Sequence, residues 1–367
     1  MLLKLIKGCL PVSVLTATAL SCAALSGAAA APSIVVDVAT GKVYAHEEAF
    51  QRWYPASLTK MMSAYVAFRM LESGQITPDT PVRISVIAAK EPPSKMGYKP
   101  GSVMTLDTAL KIMMVKSAND VSVAVAETLG GSVNGFAKMM NAEAARLGMS
   151  GSHFTNPHGL PDPQNYTTAR DLAVLGMALR QQFPQYAHYF SVEALDFTDG
   201  HRQELNGNIL LGRYNGADGM KTGFICASGF NLVASATRQG RTVMSVVLGA
   251  TRQETRAAKS AELMETAFRG NAANAPDLRA LAPYGQNINS APDLRAQICN
   301  QEAIAARWDG REVEGYMKID SPYIHDIKHE PRAITVGLSQ KAPENKPGQL
   351  HISQVPIPLQ RPAKRGS

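Results

Sequence analysis

Cysteine, histidine and aromatic residues are scarce in this chain of 367 residues, and each scarcity removes a class of function. The 8 histidines show no spacing typical of metal ligands, so we expect no metal and no cofactor. Aromatic residues make up only 6% of the chain and the basic residues are scattered, which argues against a nucleic-acid-binding module. Of the 4 cysteines, only Cys226 and Cys299 lie beyond residue 30. In an exported protein this pair permits one disulfide, and two buried free thiols are the alternative.

Long apolar runs are also lacking, apart from one stretch near the start. Lys4 and Lys7 precede an apolar stretch at residues 10–25, and Ala28, Ala29 and Ala30 follow it. This order predicts a cleaved signal peptide over residues 1–30. The stretch is short for a membrane span, and an uncleaved anchor helix is the alternative. We therefore expect export to the periplasm, and we leave open a peripheral association with the inner membrane.

The remaining composition is that of a globular protein, with 45% hydrophobic and 18% charged residues. Period-2 patterns near the start and again late in the chain enclose a long stretch of helical patterns, which predicts a mixed α/β domain over residues 31–269. One sheet must then combine the first hairpin with the late strands. The predicted strands are residues 33–38, 43–45, 80–87, 195–197, 209–211, 230–236 and 241–248. The predicted helices are residues 58–71, 106–114, 121–129, 133–147, 168–180 and 257–268.

The composition changes after Arg269. Residues 270–338 are predicted to be a linker and a small extension of unknown fold, with a short helix around Ala303 and a strand at residues 333–336. Residues 339–367 are basic and rich in proline, which predicts a disordered tail.

The most informative local pattern is Ser57-Leu58-Thr59-Lys60. Pro55 precedes the first turn of an apolar helix, and residues three apart share one face of that helix, so Ser57 and Lys60 should meet. A buried lysine has a lowered pKa and can take the proton of a serine hydroxyl. Taken alone, the pattern more often indicates a serine at the start of a helix with a lysine in its first turn, because S-x-x-K occurs often by chance.

Two further motifs change that balance: Ser117-Ala118-Asn119 between two helical patterns, and Lys221-Thr222-Gly223 before a β-like run. The order S-x-x-K, S-x-N, K-T-G resembles the penicillin-recognising serine enzymes. Over roughly residues 33–268 the chain resembles the low-molecular-mass penicillin-binding proteins that are serine-type D-alanyl-D-alanine carboxypeptidases. The resemblance implies a β-lactamase/transpeptidase-like domain, with the active site between a helix-flanked sheet and a helical region. Further stretches that carry it are residues 54–57, 97–101, 156–160, 166–171 and 229–236.

The resemblance also implies catalytic roles. Ser57 would attack the carbonyl of the penultimate D-alanine and form an acyl-enzyme, with Lys60 as the base. Ser117 would pass a proton to the leaving D-alanine. Asn119 would hydrogen-bond Lys60 and an amide of the substrate.

The same resemblance implies how the substrate is bound. Lys221 and Thr222 would hold the free carboxylate of the terminal D-alanine. Gly223 would let the substrate backbone approach the strand. The backbone N–H groups of Ser57 and Phe224 are candidates for the oxyanion hole.

Four other residues are candidates of lesser weight. His158 invites a Ser–His triad, but the sequence offers no suitable Asp partner, so we expect it to shape its loop. Arg170 and Asp171 should form a structural ion pair. Arg252 is a candidate for attracting the substrate carboxylate.

The expected function is therefore a D-Ala-D-Ala carboxypeptidase of cell-wall biosynthesis. It would trim peptidoglycan stem pentapeptides and be inhibited covalently by β-lactams. A D,D-endopeptidase acting on cross-linked peptides shares every motif and stays an alternative. A non-catalytic penicillin-binding sensor need not keep the nucleophile and base. A class A β-lactamase would use a further glutamate in a Glu-x-x-x-Asn-type loop, and we assign no such loop between Asn119 and Lys221.

Overall fold

The structure, a computed structural model, describes residues 31–271, 273–286, 288–307, 319–327 and 329–339. The predicted signal peptide at residues 1–30, and residues 340–367 of the predicted tail, lie outside the described residues. Within the described ranges, no helix is both long and apolar enough to cross a membrane.

An N-terminal hairpin, a helical middle, late strands and a closing helix follow one another in the domain, as expected from the sequence. The strands are β1 Ser33–Asp37, β2 Val43–Glu47, β3 Pro81–Arg83, β4 Val103–Thr105, β5 Ala194–Phe197, β6 Glu204–Leu205, β7 Ala217–Ile225, β8 Gly229–Arg238, β9 Arg241–Ala250 and β10 Ala333–Val336. The helices are α1 Thr59–Glu72, α2 Val86–Ala89, α3 Leu106–Val115, α4 Asn119–Gly130, α5 Val133–Leu147, α6 Ala169–Gln182, α7 Gln253–Arg269, α8 Arg295–Ile298 and α9 Gln301–Ala306.

The main sheet of the described region has the antiparallel order β2-β1-β9-β8-β7, which confirms that the first hairpin joins the late strands. Side chains alternate across it, as a strand requires. Ile34 and Val36 pack in the core that contains α1, whereas Val35 packs in the second core with α7. Strand β7 lies at the edge of the sheet, so one side of it is free to border a cleft.

Two helices carry the sequence signals that start them. The side chain of Thr168 accepts a hydrogen bond from the backbone N–H of Asp171 and caps α6. Arg170 and Asp171 form the expected ion pair at 3.0 Å. Helix α1 is buried from Thr59 through Phe68, as its apolar sequence predicts.

Two strand predictions need correction. Residues 209–211 form a turn rather than a strand, because the side-chain oxygen of Asn208 accepts the N–H of Leu210 and bends the chain there. Within residues 80–87 only Pro81–Arg83, β3, are paired as a strand. Ser85 ends that stretch, since its hydroxyl accepts the N–H of Ala88 and caps α2.

The described part of the predicted extension packs against the domain. The linker-like segment contributes Pro276, whose carbonyl accepts the N–H of Val43, and Leu278, which is buried. The predicted helix around Ala303 is α9. The predicted strand at residues 333–336 is β10, which pairs in parallel with β5. A domain boundary at residue 270 stays a prediction, but the described residues beyond it are bound to the domain at several points.

Cys226 and Cys299 form a disulfide, which confirms the expected pairing. The bond joins residues 73 positions apart, so it closes a long loop in the unfolded chain.

Replacing both cysteines by serine should lower the free energy of unfolding by up to about 4 kcal/mol, because the unfolded chain regains the entropy of an open loop. Denaturant titration of the oxidised protein and of Cys226→Ser/Cys299→Ser measures the difference. Reductant should destabilise the parent and leave the double variant unaffected. Equal unfolding midpoints for the two proteins would contradict a stabilising role for this bond.

Candidate active site

Ser57 lies in a 3-10 turn, Ala56–Leu58, that leads directly into α1. Ala56 has a φ of +48°, a left-handed conformation that a residue with a side chain rarely adopts. The side chain of Asn231, on β8, holds this turn by donating to the carbonyls of Tyr54 and Pro55 at 3.0 and 3.2 Å. The nucleophile candidate is therefore fixed by contacts from the sheet as well as by the helix.

Lys60 lies one turn along the same face, and its Nζ is 3.1 Å from the Oγ of Ser57. Its side chain is completely buried. Nζ also donates to the Oδ1 of Asn119 and to the carbonyl of His158, both at 2.9 Å. Burial lowers the pKa of Lys60 well below its usual value of 10.5, and the nearby Lys221 lowers it further.

These contacts decide what a neutral Lys60 can do. Its two hydrogens are taken by Asn119 Oδ1 and the carbonyl of His158, which can only accept. The lone pair is then left for the hydroxyl of Ser57. The orientation of the Asn119 amide is supported independently, because its Nδ2 donates to the carbonyl of Pro92 at 3.0 Å. In this arrangement the neutral amine of Lys60 can accept the proton of the Ser57 hydroxyl.

Ser117 and Asn119 lie where α3 ends and α4 begins, at the helix-to-helix loop expected from the sequence. Ser117 has a φ of +63°, a second left-handed residue at the cleft. The Nζ of Lys221 donates to the Oγ of Ser117 at 3.1 Å and to the carbonyl of Thr222 at 3.1 Å. This hydroxyl therefore connects the helical region to strand β7.

Lys221 is buried behind the cleft. Burial lowers the pKa of Lys221 from 10.5 to about 7, and the adjacent positive charge of Arg256 contributes. An anion that binds beside Lys221 would favour its charged form.

Gly223 brings β7 against the turn that carries Ser57. A Cβ at this position would lie 2.8 Å from the carbonyl oxygen of Pro55 and 3.0 Å from the backbone nitrogen of Ser57. Any side chain here would have to push strand and turn apart. Phe224 follows Gly223, so the N–H groups of Ser57 and Phe224 belong to two segments in close contact.

These segments enclose a cleft of about 600 Å³. The structure brings together the eight residues predicted to catalyse the reaction or bind the substrate, with Lys60 and Lys221 buried behind the lining, whereas the lesser candidate Arg252 is not among the lining residues. The lining residues are Ser57, Pro93, Ser94, Ser117, Asn119, His158, Gly159, Leu160, Thr222, Gly223, Phe224, Ile225, Phe230, Gln253 and Arg256.

Residues 18–252 match the model of the D-alanyl-D-alanine carboxypeptidase family of serine peptidases, Peptidase S11. The chain belongs to this family. It is 37% identical over 243 residues to D-alanyl-D-alanine carboxypeptidase DacC of Escherichia coli K12, across 64% of this chain and 60% of that protein. It is 32% identical over 238 residues to DacF of Bacillus subtilis, across 61% of that protein. The chain thus spans about 60% of the length of these curated relatives.

Solved structures of penicillin-binding proteins have a similar fold. Penicillin-binding protein 5 of Haemophilus influenzae superposes with a TM-score of 0.61 at 34% identity, over 65% of this chain and 70% of that one. Penicillin-binding protein D2 of Listeria monocytogenes, in its ampicillin-bound form, gives a TM-score of 0.57 at 28% identity, over 65% of this chain and 96% of that one. The family and the penicillin-binding, transpeptidase-like fold expected from the sequence are confirmed.

Sequence reasoning missed Arg256 and favoured Arg252 instead. Arg252 forms an ion pair with Glu254. Arg256, one turn further along α7, is buried in the cleft lining, and its Nη1 donates to the carbonyls of Gly223 at 3.4 Å and Asn231 at 3.1 Å. The spacing of four residues along a helix makes the two arginines hard to tell apart without the register of α7.

His158 contributes its backbone rather than its ring to the catalytic group. Its Nδ1 accepts the N–H of Leu160 at 3.1 Å, and its Nε2 lies 3.3 Å from a carboxylate oxygen of Glu91. Burial lowers the pKa of His158, which agrees with a neutral ring that accepts at Nδ1. Both ring nitrogens are thus engaged away from Ser57, in agreement with the expected loop-shaping role.

One segment with Glu-x-x-x-Asn spacing does occur between Asn119 and Lys221, contrary to the sequence interpretation. It consists of Glu204 and Asn208. Glu204 pairs with the Nζ of Lys116 at 2.7 Å, and the amide of Asn208 donates to the carbonyl of Gly219. Neither residue lines the cleft, so this segment does not supply a glutamate to activate water there.

Proposed function

We propose that the protein is a serine-type D-Ala-D-Ala carboxypeptidase that removes the terminal D-alanine from peptidoglycan stem pentapeptides. The observation that carries the proposal is the set of contacts made by the buried amine of Lys60. It donates to the Oδ1 of Asn119 and to the carbonyl of His158, which can only accept, and its third contact is the Oγ of Ser57. Membership of the family supports the reaction class.

Acylation begins when neutral Lys60 takes the proton of Ser57. The Oγ then attacks the carbonyl carbon of the penultimate D-alanine, and negative charge develops on the carbonyl oxygen. The N–H groups of Ser57 and Phe224 stabilise that charge, since two donors are wanted where charge develops. Asn119 keeps Lys60 in place and offers its amide to the acyl part of the substrate.

Collapse of the tetrahedral intermediate breaks the peptide bond. The leaving D-alanine departs as an amine and needs a proton, which Ser117 delivers from Lys60. Water then hydrolyses the ester on Ser57 and releases the shortened peptide. A β-lactam follows the same first step, because its ring amide presents a carbonyl to the same nucleophile.

The free carboxylate of the terminal D-alanine binds to Lys221, Thr222 and Arg256. Lys221 and Arg256 supply positive charge, and Thr222 supplies a hydroxyl. This demand for a free carboxylate favours substrates with a free C-terminus.

The decisive experiment incubates the purified protein with a stem pentapeptide and measures released D-alanine, while a fluorescent penicillin reports acylation. Release of D-alanine together with labelling supports the proposal. Labelling without release would instead identify a sensor. Cleavage of a cross-linked muropeptide dimer at a higher rate than the pentapeptide would identify an endopeptidase.

We also propose that residues 1–30 direct export to the periplasm and are then removed, and that residues 31–269 form the catalytic domain. The sequence order of charges, apolar residues and alanines supports the first part. The intact mass of protein recovered from the periplasm tests it, because retention of residues 1–30 would refute cleavage.

Lys221→Ala should reduce kcat/KM for a pentapeptide with a free carboxylate by at least about tenfold. A charge-assisted contact of this kind is worth roughly 1.5–3 kcal/mol. The same peptide with an amidated C-terminus is the matched substrate, and it should lose less. Because Lys221 also contacts Ser117, some loss on the amide is expected. Equal losses on both peptides would remove Lys221 from the carboxylate role.

A further inference from the structure

The extension is fastened to the turn between β7 and β8, at one end of the cleft. The disulfide joins Cys226 in that turn to Cys299 just after α8. The N–H of Leu294 donates to the carbonyl of Ala227 at 3.0 Å, and Ile298 is buried. Helix α8 therefore has a fixed position beside the last residues of β7.

This attachment places a cation on an aromatic pair at the cleft. Phe224 and Phe230 are cross-strand partners on β7 and β8, with ring centroids 4.3 Å apart, and both line the cleft. Arg307 follows α9, and its guanidinium carbon lies 5.1 Å from the ring centroid of Phe224 and 5.3 Å from that of Phe230. Arg307 also donates to the carbonyl of Ile298. We call Phe224, Phe230 and Arg307 the Arg307 rim.

The direction of the substrate along β7 follows from the roles proposed above, on which this inference rests. The carboxylate partners Lys221 and Thr222 precede Phe224, whose N–H faces the reacting carbonyl. A peptide anchored in this way runs antiparallel to the edge strand, so its acyl part extends from Phe224 toward Ile225 and Cys226. That is the end at which the Arg307 rim lies.

We propose that the Arg307 rim is a subsite for the side chain of the residue that precedes D-Ala-D-Ala in the stem peptide. It favours an elongated aliphatic side chain that ends in a carboxylate. The two phenyl rings offer apolar surface to the methylene groups, and the guanidinium of Arg307 offers donors matched to a carboxylate. Among the described residues, no acidic side chain forms an ion pair with Arg307. A side chain ending in an ammonium group would meet a like charge there.

The cation of this subsite comes from outside the region shared with the family. The family model matches residues 18–252, whereas Arg307 lies well beyond it. The subsite therefore combines a strand of the family fold with a segment that the disulfide holds in place.

The test compares two pentapeptides that differ only at the third residue, one with meso-diaminopimelate and one with lysine. The full, disulfide-bonded protein should prefer the diaminopimelate peptide. Arg307→Ala should lower kcat/KM for that peptide by about fivefold or more and change the lysine peptide by less than about twofold, as expected for one partly exposed charged contact. Cys226→Ser/Cys299→Ser should lose the same preference, because the rim is no longer held.

Arg295→Ala is the matched control. Arg295 lies in α8 of the same extension, is exposed and carries the same charge, and it is not among the arginines described as lying over Phe224 or Phe230. Acylation by benzylpenicillin, whose acyl side chain carries no carboxylate, should change by less than about twofold in Arg307→Ala. Intact mass without reductant shows whether the variant keeps its disulfide. If it does not, Arg307→Gln removes the charge while keeping a donor for the carbonyl of Ile298.

Four results would contradict the proposed subsite or the function on which it rests. Equal rates on the two peptides for the parent protein, or equal losses on both in the charge-removing variant that keeps its disulfide, would overturn the subsite. Absence of D-alanine release from both peptides would instead overturn the proposed carboxypeptidase function. A loss of preference in Arg295→Ala as well would replace a subsite with a general charge effect of the extension.

Discussion

Ser57→Ala is expected to abolish both D-alanine release and covalent penicillin labelling, with a loss of at least about 10⁴-fold in acylation rate. The Oγ of Ser57 is the atom that the buried amine of Lys60 contacts, and alanine leaves no nucleophile in its place. The fold should survive, since the change removes one oxygen from a partly exposed side chain. Labelling with a fluorescent penicillin and a thermal melt measure the two effects.

Ser73→Ala is the matched control for this variant. Ser73 ends the same helix, α1, and its hydroxyl bonds only locally, to the carbonyl of Met70 at 3.0 Å. It should label like the parent protein. A stable penicillin adduct on Ser57→Ala would show that another residue is the nucleophile.

The second large effect concerns the base. Lys60→Met keeps an unbranched side chain in the buried site but removes the amine, and should slow acylation by about 10²–10⁴-fold, the range for a general base. Ser57 remains present, so slow labelling should persist. The rate of acylation by a penicillin, measured across a range of pH, tests the assignment.

The pH dependence has a definite sign. Lys60 acts in its neutral form, so the acylation rate of the parent protein should rise with pH as Lys60 loses its proton, with a midpoint well below 10.5. Lys221 acts in its charged form, so the rate should fall at higher pH as Lys221 loses its proton. Burial lowers the pKa of the free Lys221 to about 7, and a bound carboxylate shifts the falling limb upward. In Lys60→Met the rising limb should disappear. A rising limb unchanged in this variant would assign it to another group.

Residue spacing and local apolar patterns were enough to predict much of the site. The spacing of Ser57 and Lys60 fixes their shared face, and the apolar sequence of α1 fixes the burial that changes the pKa of the lysine. The placement of Ser117 and Asn119 followed from the helical patterns on either side. Family resemblance then brought Lys221 and Thr222 to the same cleft, which local patterns alone could not do.

Features that depend on contacts between distant segments could not be predicted from the sequence. Arg256 rather than Arg252 enters the cleft because the packing of α7 on the sheet decides which turn of the helix faces it. Residues 209–211 have the composition of a strand, yet within the described part of the chain they pair with no strand, and Asn208 turns the chain. The parallel pairing of β10 with β5 joins segments far apart in the chain, so short-range patterns carry no trace of it.

The close contact at Gly223 also governs when reactivity arises during synthesis. Translation completes Ser57 and Lys60 long before Lys221 and Gly223, because chains are made from the N-terminus. Strand β7 reaches the serine turn only through β8 and β9, which themselves pair onto β1. A nascent chain that stops short of β9 therefore lacks the contact between Gly223 and the serine turn, and it lacks the partner strands that hold Lys221 in place. We expect chemical competence to arise only when this strand has paired.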